Sequence, residues 1–293
     1  MRVERLAIIG CGLMGGSFAL ALRSLDQVGT VAGYSASANT RATALALGVI
    51  DEACESVAQA VTGADVVLLA VPVQATEVSL RAMAPHLGAQ TLLMDVGSTK
   101  CDVVAAARAT LGSALSRFVP AHPIAGKEMA GVAHAEAALY QDRQVILTPL
   151  AETDSALAAR AQALWEAVGS RVCRLSPEAH DAAFAAVSHL PHLAAFALVN
   201  AVARQPEGAQ YLALAGPGFR DFSRIAASSA AVWGDILLVN REQVLHQSQL
   251  MRAALAELEA AMSAGDSARL RALIDEASQT RSRWRLGGQP TDL

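Results

Sequence analysis

The sequence lacks closely spaced cysteines and has little charge. Its four cysteines, Cys11, Cys54, Cys101 and Cys173, stand far apart along the chain. Zinc sites and redox dithiols place two cysteines within a few residues of each other, so the spacing argues against both and indicates reduced thiols in the core. Charged residues make up only 17% of the chain, and the net charge is −4. This balance offers no electrostatic footprint for nucleic acid, and we expect neither a nucleic-acid partner nor a bound metal.

A leader peptide and a clear membrane span are also missing from the pattern. The apolar run at residues 6–9 is too short for a signal peptide and ends in a glycine turn. Residues 182–203 carry no formal charge, yet they contain two histidines, a serine, a proline and an asparagine. Polar groups are costly in hydrocarbon. We therefore expect a buried helix pair in this region, no membrane partner and a cytoplasmic location.

What the sequence does contain is enough apolar material for two domains, with 293 residues of which 53% are hydrophobic. In the first 175 residues, β-branched runs alternate with Ala/Leu-rich stretches, which is typical of a parallel sheet covered by helices. The predicted strands are 5–9, 30–34, 65–71, 91–96, 117–121, 144–148 and 171–175. Beyond them, Ala and Leu dominate and helical periodicity continues to about residue 285. We predict an α/β domain at 1–175 and an all-α domain at 176–293, whose aliphatic surplus favours a homodimer interface.

A glycine-rich turn follows the first predicted strand. Residues 10–15 read Gly-Cys-Gly-Leu-Met-Gly, a GxGxxG that leads into a helix predicted over residues 17–25. Glycines at these positions let the turn be tight and let the backbone approach a pyrophosphate at the helix N-terminus. The motif predicts that the first domain is of the Rossmann type; an accidental glycine-rich turn is the alternative. The residues expected to contact the dinucleotide are Gly10, Gly12, Leu13, Met14, Gly15 and Val71.

The segment after the second predicted strand bears on which dinucleotide binds. In NAD-binding folds a carboxylate there accepts hydrogen bonds from the ribose hydroxyls, but residues 35–41 contain no acid. Hydroxyl groups and a guanidinium are suited to a 2′-phosphate instead. We therefore expect Ser35, Ser37 and Arg41 to favour NADP over NAD. The alternative is that Arg41 is a solvated helix residue and that either cofactor is used.

Three of the seven histidines stand in unusual sequence contexts. His122 lies in Pro-Ala-His-Pro-Ile-Ala-Gly, and His189 and His192 lie in Ser-His-Leu-Pro-His. Two further motifs are Asp-Val-Gly-Ser-Thr-Lys at 95–100 and Gly-Pro-Gly-Phe-Arg-Asp-Phe-Ser-Arg at 216–224. Together with the GxGxxG, these five motifs strongly resemble those of the prephenate/arogenate dehydrogenase family, and they occur in the same order.

The resemblance implies a role for each matching residue. His122 would be the base that takes the proton of the ring 4-hydroxyl as hydride leaves for the nicotinamide, and Ser98 would orient it. His192 would face the substrate, and Arg224 would bind a substrate carboxylate. Further candidates for contact with the substrate are Lys127, Glu128, His189 and Trp233.

Structural readings compete with these roles. Ser98 could cap the helix that follows it, and His189 could be a hydrogen-bonded core residue. Arg224 could pair with Asp221 one helical turn away, and Lys127 could pair with Glu128 beside it.

The activity implied by the resemblance is that of a prephenate dehydrogenase, which decarboxylates prephenate oxidatively to 4-hydroxyphenylpyruvate with NAD(P) in tyrosine biosynthesis. A base, a carboxylate clamp and an oriented nicotinamide suffice for this chemistry. Arogenate dehydrogenase, which gives tyrosine directly, is one alternative. A β-hydroxyacid dehydrogenase or imine reductase is another, although the catalytic lysine expected of that group has no counterpart in residues 177–235. A dinucleotide-sensing regulator would need the glycines but not the base and the clamp.

Overall fold

The computed structural model describes residues 2–127 and 129–285. Glu128, one of the predicted substrate contacts, lies outside the described residues. The chain divides into two compact units, Met1–Asn240 and Arg241–Leu293. All the other residues predicted for the site belong to the first unit.

A six-stranded parallel sheet forms the centre of the first unit. Its strands are β1 (Val3–Ile9), β2 (Val28–Tyr34), β3 (Glu52–Ala53), β4 (Val66–Leu69), β5 (Leu92–Asp95) and β6 (Phe118–Val119). They follow the order β3-β2-β1-β4-β5-β6, with every paired neighbour parallel. This is the strand order of a dinucleotide-binding fold, whose ligand crevice opens where the chain switches direction, beyond the carboxyl ends of β1 and β4. The predicted Rossmann-type domain is confirmed.

Helices cover both faces of this sheet. They are α1 (Leu13–Ser24), α2 (Ala38–Ala46), α3 (Val57–Val61), α4 (Thr76–Met83), α5 (Cys101–Thr110) and α6 (Ser155–Ala167). Strand β4 is buried along its whole length, as continuous apolar runs predict for a sheet that is covered on both sides. Helix α1 begins at Leu13 rather than at residue 17, because Gly12 already serves as its N-cap. The glycine turn therefore leads directly into the helix.

The last strands form a separate, mixed sheet, which the sequence did not predict. It consists of β7 (Ala121–Pro123), β8 (Gln144–Leu147) and β9 (Arg171–Arg174). Strand β7 runs antiparallel to β8, and β8 runs parallel to β9. The single strand predicted at 117–121 is thus wrong, since the chain changes sheets at Pro120, which has no N–H to donate to a ladder. His122 consequently lies in the middle of β7.

Helices complete both units. The first unit continues through α7 (Pro177–Phe184), a π-helical turn at Ala185–His189, α8 (Leu190–Ala203), α9 (Gly208–Ala213), α10 (Pro217–Ser223) and α11 (Ala230–Val239). The second unit contains α12 (Arg241–Ser263) and α13 (Ser267–Arg283). The helical character predicted beyond the sheet domain is confirmed.

The apolar helices are much less buried than expected. The segment Pro177–Ala203 is long and apolar enough to cross a membrane. Only 22% of its most apolar 18-residue stretch is buried. Val187 and Leu238 are 72% and 66% exposed. The expectation of a helix pair buried within the chain is therefore wrong for most of these residues. The apolar periodicity of a sequence predicts that one face of a helix packs against apolar residues. It does not distinguish packing within the same chain from packing against a second chain.

The four cysteines divide between core and surface. All are free; Cys11 and Cys54 are buried as predicted, whereas Cys101 is exposed and Cys173 is half-buried. Cys101 is the first residue of α5, and Cys173 belongs to β9, at the edge of the second sheet. Their positions at an element terminus and a sheet edge explain why the expectation of four core thiols is wrong for these two.

Candidate active site

The glycine turn packs so tightly that two of its residues must be glycine. Gly10 has a φ of +103°, and a Cβ there would lie 2.2 Å from the carbonyl oxygen of Ala70. A Cβ on Gly15 would lie 2.5 Å from the carbonyl oxygen of Gly10. A Cβ on Gly12, in contrast, would meet nothing within 4 Å. The turn is thus closed against β4 on one side and open at Gly12.

The open side fits an anionic ligand. Gly12 caps α1 without a side-chain hydrogen bond, and the first turn of the helix contains no acid. The N–H groups of a first helical turn have no partners within the helix, and the helix dipole favours negative charge there. The residues present therefore suit the pyrophosphate of a dinucleotide, which Gly12, Leu13 and Met14 would hold.

The polar residues after β2 are already engaged within the chain. The Ser35 hydroxyl accepts a hydrogen bond of 2.8 Å from the N–H of Cys11, and Ser37 caps α2. The Arg41 guanidinium donates to the carbonyl oxygen of Ser35 at 2.6 Å and pairs with Glu55 at 2.8 Å. The Arg41 side chain is only 11% exposed, so the alternative of a solvated arginine is wrong. Glu55, which follows β3, is a carboxylate partner of Arg41 that sequence reading missed.

A cleft of about 520 Å³ opens beyond the carboxyl ends of the central strands. Its lining comes from the glycine turn, from the segments after β4 and β5, from residues 126–127 and 129–131, and from a helical wall within residues 224–236. The predicted site residues that line it are Gly12, Leu13, Met14, Val71, Ser98, Lys127, Arg224 and Trp233. The cleft thus brings together residues predicted for the cofactor and residues predicted for the substrate.

His122 is the first of three titratable side chains in contact. Its Nδ1 lies 2.8 Å from Nε2 of His180, and Nδ1 of His180 lies 2.8 Å from Oδ1 of Asp181. Both imidazole rings pack against Phe184, with ring centroids 4.8 and 4.5 Å away. Helix α7 supplies the second and third members of the chain and the packing ring. Sequence reading missed His180 and Asp181.

The surroundings set the protonation of this chain. Burial lowers the pKa of His122 well below its ordinary value, and the neighbouring His180 and the positive charge of Lys100 act in the same direction. Burial alone would raise the pKa of Asp181, but the hydrogen bonds from His180 and from the N–H groups of Cys101 and Lys100 outweigh it and lower that pKa. At neutral pH the site therefore contains a neutral imidazole able to accept a proton and an ionised carboxylate.

A buried ion pair fixes the start of β7. Lys100 Nζ pairs with the carboxylate of Asp95 and donates to the carbonyl oxygen of Ala121 at 2.7 Å. Asp95 in turn accepts from the N–H of Ala121 at 2.9 Å. The motif that contains Ser98 thus joins the end of β5 to the strand of His122. Ser98 itself lines the cleft, while the position next to Nδ1 of His122 is taken by His180.

The two histidines of the π-helical turn and α8 have different surroundings. His189 is buried, and its Nδ1 lies 3.2 Å from the amide nitrogen of Asn240, which donates to the backbone carbonyl of Asp181 at 2.8 Å. Burial lowers the pKa of His189 to about 4. His192 bonds through Nδ1 to the carbonyl oxygen of Ser188 at 2.9 Å. Since a carbonyl only accepts, Nδ1 of His192 donates, and in the neutral ring Nε2 keeps its lone pair.

Three predicted substrate residues cluster on the helical wall. The ring of His192 stacks on Trp233, with centroids 3.4 Å apart. Burial lowers the pKa of His192, and the charge of Arg224 contributes to the shift. Arg224 begins a short 3₁₀ turn, Arg224–Ala227, and lines the cleft. This cluster therefore combines a cation, an aromatic face and a hydrogen-bonding imidazole, and of its members Arg224 and Trp233 line the cleft.

Lys127 also lines the cleft and has a carboxylate partner. Its Nζ is 2.7 Å from Glu136 and donates to the carbonyl oxygen of His134 at 3.2 Å. Among the described residues, the acid that pairs with Lys127 is Glu136, nine positions along the chain. A substrate carboxylate would share this cation with Glu136.

Comparison with known proteins identifies the family. The prephenate dehydrogenase nucleotide-binding domain matches residues 18–174, and the prephenate dehydrogenase dimerization domain matches residues 176–276. A cyclohexadienyl dehydrogenase from Zymomonas mobilis is 35% identical over 280 residues, which are 95% of each chain. A prephenate dehydrogenase from Bacillus subtilis is 38% identical over 83% of this chain and 66% of its own.

A solved structure agrees with these relatives. Prephenate dehydrogenase from Aquifex aeolicus, in complex with hydroxyphenyl propionate and NAD+, matches with a TM-score of 0.90 and 34% identity. The match covers 96% of this chain and 98% of that one. The resemblance carried by the five sequence motifs is therefore confirmed, and the chain belongs to the prephenate dehydrogenase family.

Proposed function

We propose that this NAD(P)-dependent oxidoreductase converts prephenate to 4-hydroxyphenylpyruvate and carbon dioxide, a step of tyrosine biosynthesis. One observation carries the proposal: a neutral, buried imidazole on β7, linked to an ionised carboxylate, lies in the same unit as a cleft that joins the glycine turn to Arg224. When bound, NAD(P) accepts the hydride from C4 of the ring.

His122 moves one proton during this reaction. Its lone pair takes the proton of the ring 4-hydroxyl as the C4–H bond breaks, which leaves a ketone on the ring. The ring carboxylate then departs as carbon dioxide, and its bonding electrons make the ring aromatic and the ketone oxygen a phenolate. The imidazolium returns the proton to that oxygen, so the base ends neutral and no proton is consumed.

The remaining residues bind and orient the substrate. Arg224 offers a planar fork to a carboxylate, and His192, whose Nδ1 is occupied by Ser188, presents Nε2 to the substrate. Trp233 supports the ring of His192 by stacking. Ser98 and Lys127 line the cleft, where they would contact the polar groups of prephenate. His189 and Glu128 complete the predicted set.

Arg41 is proposed to give NADP an advantage over NAD. It is held beside Ser35, at the end of β2, where the adenosine ribose of a dinucleotide is expected in this fold. Its pairing with Glu55 limits that advantage, because a 2′-phosphate must compete with a carboxylate for the same guanidinium. Both cofactors are therefore expected to support turnover, with NADP the better one.

The domain division and the assembly are proposed on similar grounds. The boundary is placed between residues 175 and 176, after β9 and before α7. A homodimer formed through the helical domain would cover the exposed apolar faces of Pro177–Ala203 and α11, as expected for a dimerization domain. We place the enzyme in the cytoplasm.

The experiment that tests the function is turnover of the purified protein, followed by reduced cofactor absorbance at 340 nm. Prephenate and arogenate are compared with NADP and NAD. Turnover of prephenate with release of 4-hydroxyphenylpyruvate supports the proposal. Turnover of arogenate alone identifies an arogenate dehydrogenase, and inactivity with both substrates and both cofactors contradicts it.

A further inference from the structure

The proposed base, His122, is the first member of a buried chain of three side chains, and the other two members have no role in the mechanism proposed above. His122 on β7 contacts His180, which contacts Asp181, its neighbour on α7, with both nitrogen contacts at 2.8 Å. His180 is fully buried, and Asp181 is almost so. Burying a titratable group costs free energy unless the group is hydrogen-bonded. The contacts between these three side chains are therefore hydrogen bonds that offset the cost of their burial.

The carboxylate at the end of this chain sets the direction of both hydrogen bonds when the two imidazole rings are neutral. An ionised carboxylate only accepts, so Nδ1 of His180 carries a proton and donates to Asp181. A neutral ring protonated on Nδ1 has its lone pair on Nε2, which therefore accepts the Nδ1–H of His122. His122 in turn keeps its lone pair on Nε2. With both rings neutral, this protonation pattern satisfies every contact of the chain, and it leaves the basic nitrogen of His122 on the side of the ring away from His180.

Two backbone N–H groups also stabilise the ionised form of Asp181. Its Oδ1 also accepts from the N–H of Lys100 at 2.8 Å, and its Oδ2 accepts from the N–H of Cys101 at 2.9 Å. These N–H groups stand at the beginning of α5, where the helix dipole favours negative charge. Asp181 therefore caps α5 and anchors the histidine chain with the same carboxylate.

We propose that His180 and Asp181 are positioning residues that hold His122 in its Nδ1-protonated tautomer and share the positive charge formed on it during turnover. When Nε2 of His122 takes the substrate proton, the Nδ1–H bond of His122 breaks and an N–H bond forms on Nε2 of His180. The charge then lies next to the carboxylate of Asp181. The reverse shift occurs when His122 returns its proton, so the relay consumes nothing. The proposal rests on the assignment of His122 as the base.

The charges around His122 show why such help is needed. Among the described residues, His180, Lys100 and His189 act on the charge of His122. The carboxylates that contact these groups are Asp95, which pairs with Lys100, and Asp181, which bonds to His180. The carboxylate of Asp95 is already neutralised by Lys100. A positive charge that stayed on His122 in this buried position would be disfavoured by burial, by His180 and by Lys100. Asp181 is the carboxylate connected to the ring through a nitrogen that can carry the charge.

Two substitutions of the middle residue test the relay. His180→Phe keeps a ring against Phe184 but removes both nitrogens, so nothing selects the tautomer of His122. We expect kcat to fall by roughly 10²–10⁴-fold, with KM for prephenate and Kd for NADP within about threefold of wild type. His180→Gln offers an amide oxygen to His122 and an amide N–H to Asp181, and should recover at least about tenfold of the lost kcat. Phe184→Leu is the packing control, expected to lower thermal stability without moving the pH profile.

Two further readouts distinguish positioning from a structural role. In His180→Phe, Asp181 no longer stabilises the imidazolium, so the acid limb of kcat/KM should move to lower pH than in wild type. Nitrogen-15 NMR of the wild type, which needs no turnover, should show Nδ1–H tautomers for both His122 and His180. If prephenate is not turned over, the function fails while the NMR still tests the tautomer. An Nε2–H tautomer of His122, an unmoved acid limb, or equal kcat in the Phe and Gln variants would overturn the proposal.

Discussion

Replacing Gly12 with alanine should separate cofactor binding from folding. The φ of −89° and ψ of −160° at Gly12 suit any L residue, and an added Cβ meets no protein atom within 4 Å. The methyl group would instead stand in the open space at the N-terminus of α1. We expect Kd for NADP and NAD to rise roughly 10- to 150-fold, which corresponds to one lost charge-assisted contact of about 1.5–3 kcal/mol.

Gly15→Ala is the matched comparison, since it adds the same methyl group two residues into α1. A Cβ there lies 2.5 Å from the carbonyl oxygen of Gly10 and 2.6 Å from Cγ2 of Ile8. The helix must move away from β1 to admit it, and overpacking of this kind costs about 1–3 kcal/mol. For a unit of this size that lowers Tm by roughly 2–10 °C. Gly12→Ala should stay within about 2 °C of wild type, because the lost cap preference and the gained backbone rigidity offset each other.

The assay measures the two quantities independently. Isothermal titration calorimetry gives Kd for each cofactor, and thermal melting without cofactor gives Tm. The expected pattern is weak binding with normal melting for Gly12→Ala, and reduced melting for Gly15→Ala. Wild-type affinity in Gly12→Ala, or melting as low as that of Gly15→Ala, would refute the assignment of the open side of the turn to the pyrophosphate.

Four further predictions concern the site. His122→Asn should lower kcat by roughly 10²–10⁴-fold with little change in cofactor Kd; a variant with more than about a tenth of wild-type kcat would exclude it as the base. Arg224→Ala should lose about 2–5 kcal/mol of substrate binding, seen as a raised KM for prephenate, and an unchanged KM would contradict the clamp. Glu55→Gln should free Arg41 for a 2′-phosphate and raise the kcat/KM ratio of NADP to NAD about tenfold, whereas a constant ratio means that the phosphate is not read there. His122 and His189 are neutral in the folded chain. Below the ordinary histidine pKa of about 6.5 they therefore bind protons in the unfolded chain but not in the folded one. Stability should fall by up to about 1.4 kcal/mol per pH unit per histidine, for His189 until pH nears its pKa of about 4; equal urea midpoints at pH 7 and 5.5 would contradict this.

The sequence predicted what local chemistry determines. The GxGxxG specified its own turn, because a φ of +103° at Gly10 and the close approach of Ala70 each require glycine. Continuous apolar runs identified the buried strands for the same reason, since a strand covered on both faces has no side for polar residues. His122 was found from its neighbours in the chain, which the family resemblance made informative.

Features that depend on tertiary pairing could not be predicted in this way. His180 stands 58 residues from His122, and nothing in an Ala-rich helix indicates which strand its histidine will meet. Glu55 was missed because an acid was sought only directly after β2, whereas this partner of Arg41 comes from the turn after β3. Pro120 carried a usable signal, since a residue without an N–H rarely lies within a strand, and it marked the change of sheet.

The double duty of Asp181 has a mechanical consequence for how the cleft can open. Its carboxylate joins α7 to the first N–H groups of α5. Separating these two helices would leave a buried anion without these hydrogen bonds and would disturb the chain that leads to His122. Across the cleft, α11 reaches the segment after β4 through an exposed hydrogen bond of 2.6 Å between Gln74 and Asp235. Water can replace that bond at little cost. If the cleft opens for substrate entry and product release, we expect the helices to rotate about the α5–α7 contact and the Gln74–Asp235 hydrogen bond to break. The chain from His122 to Asp181 would then remain intact through each cycle.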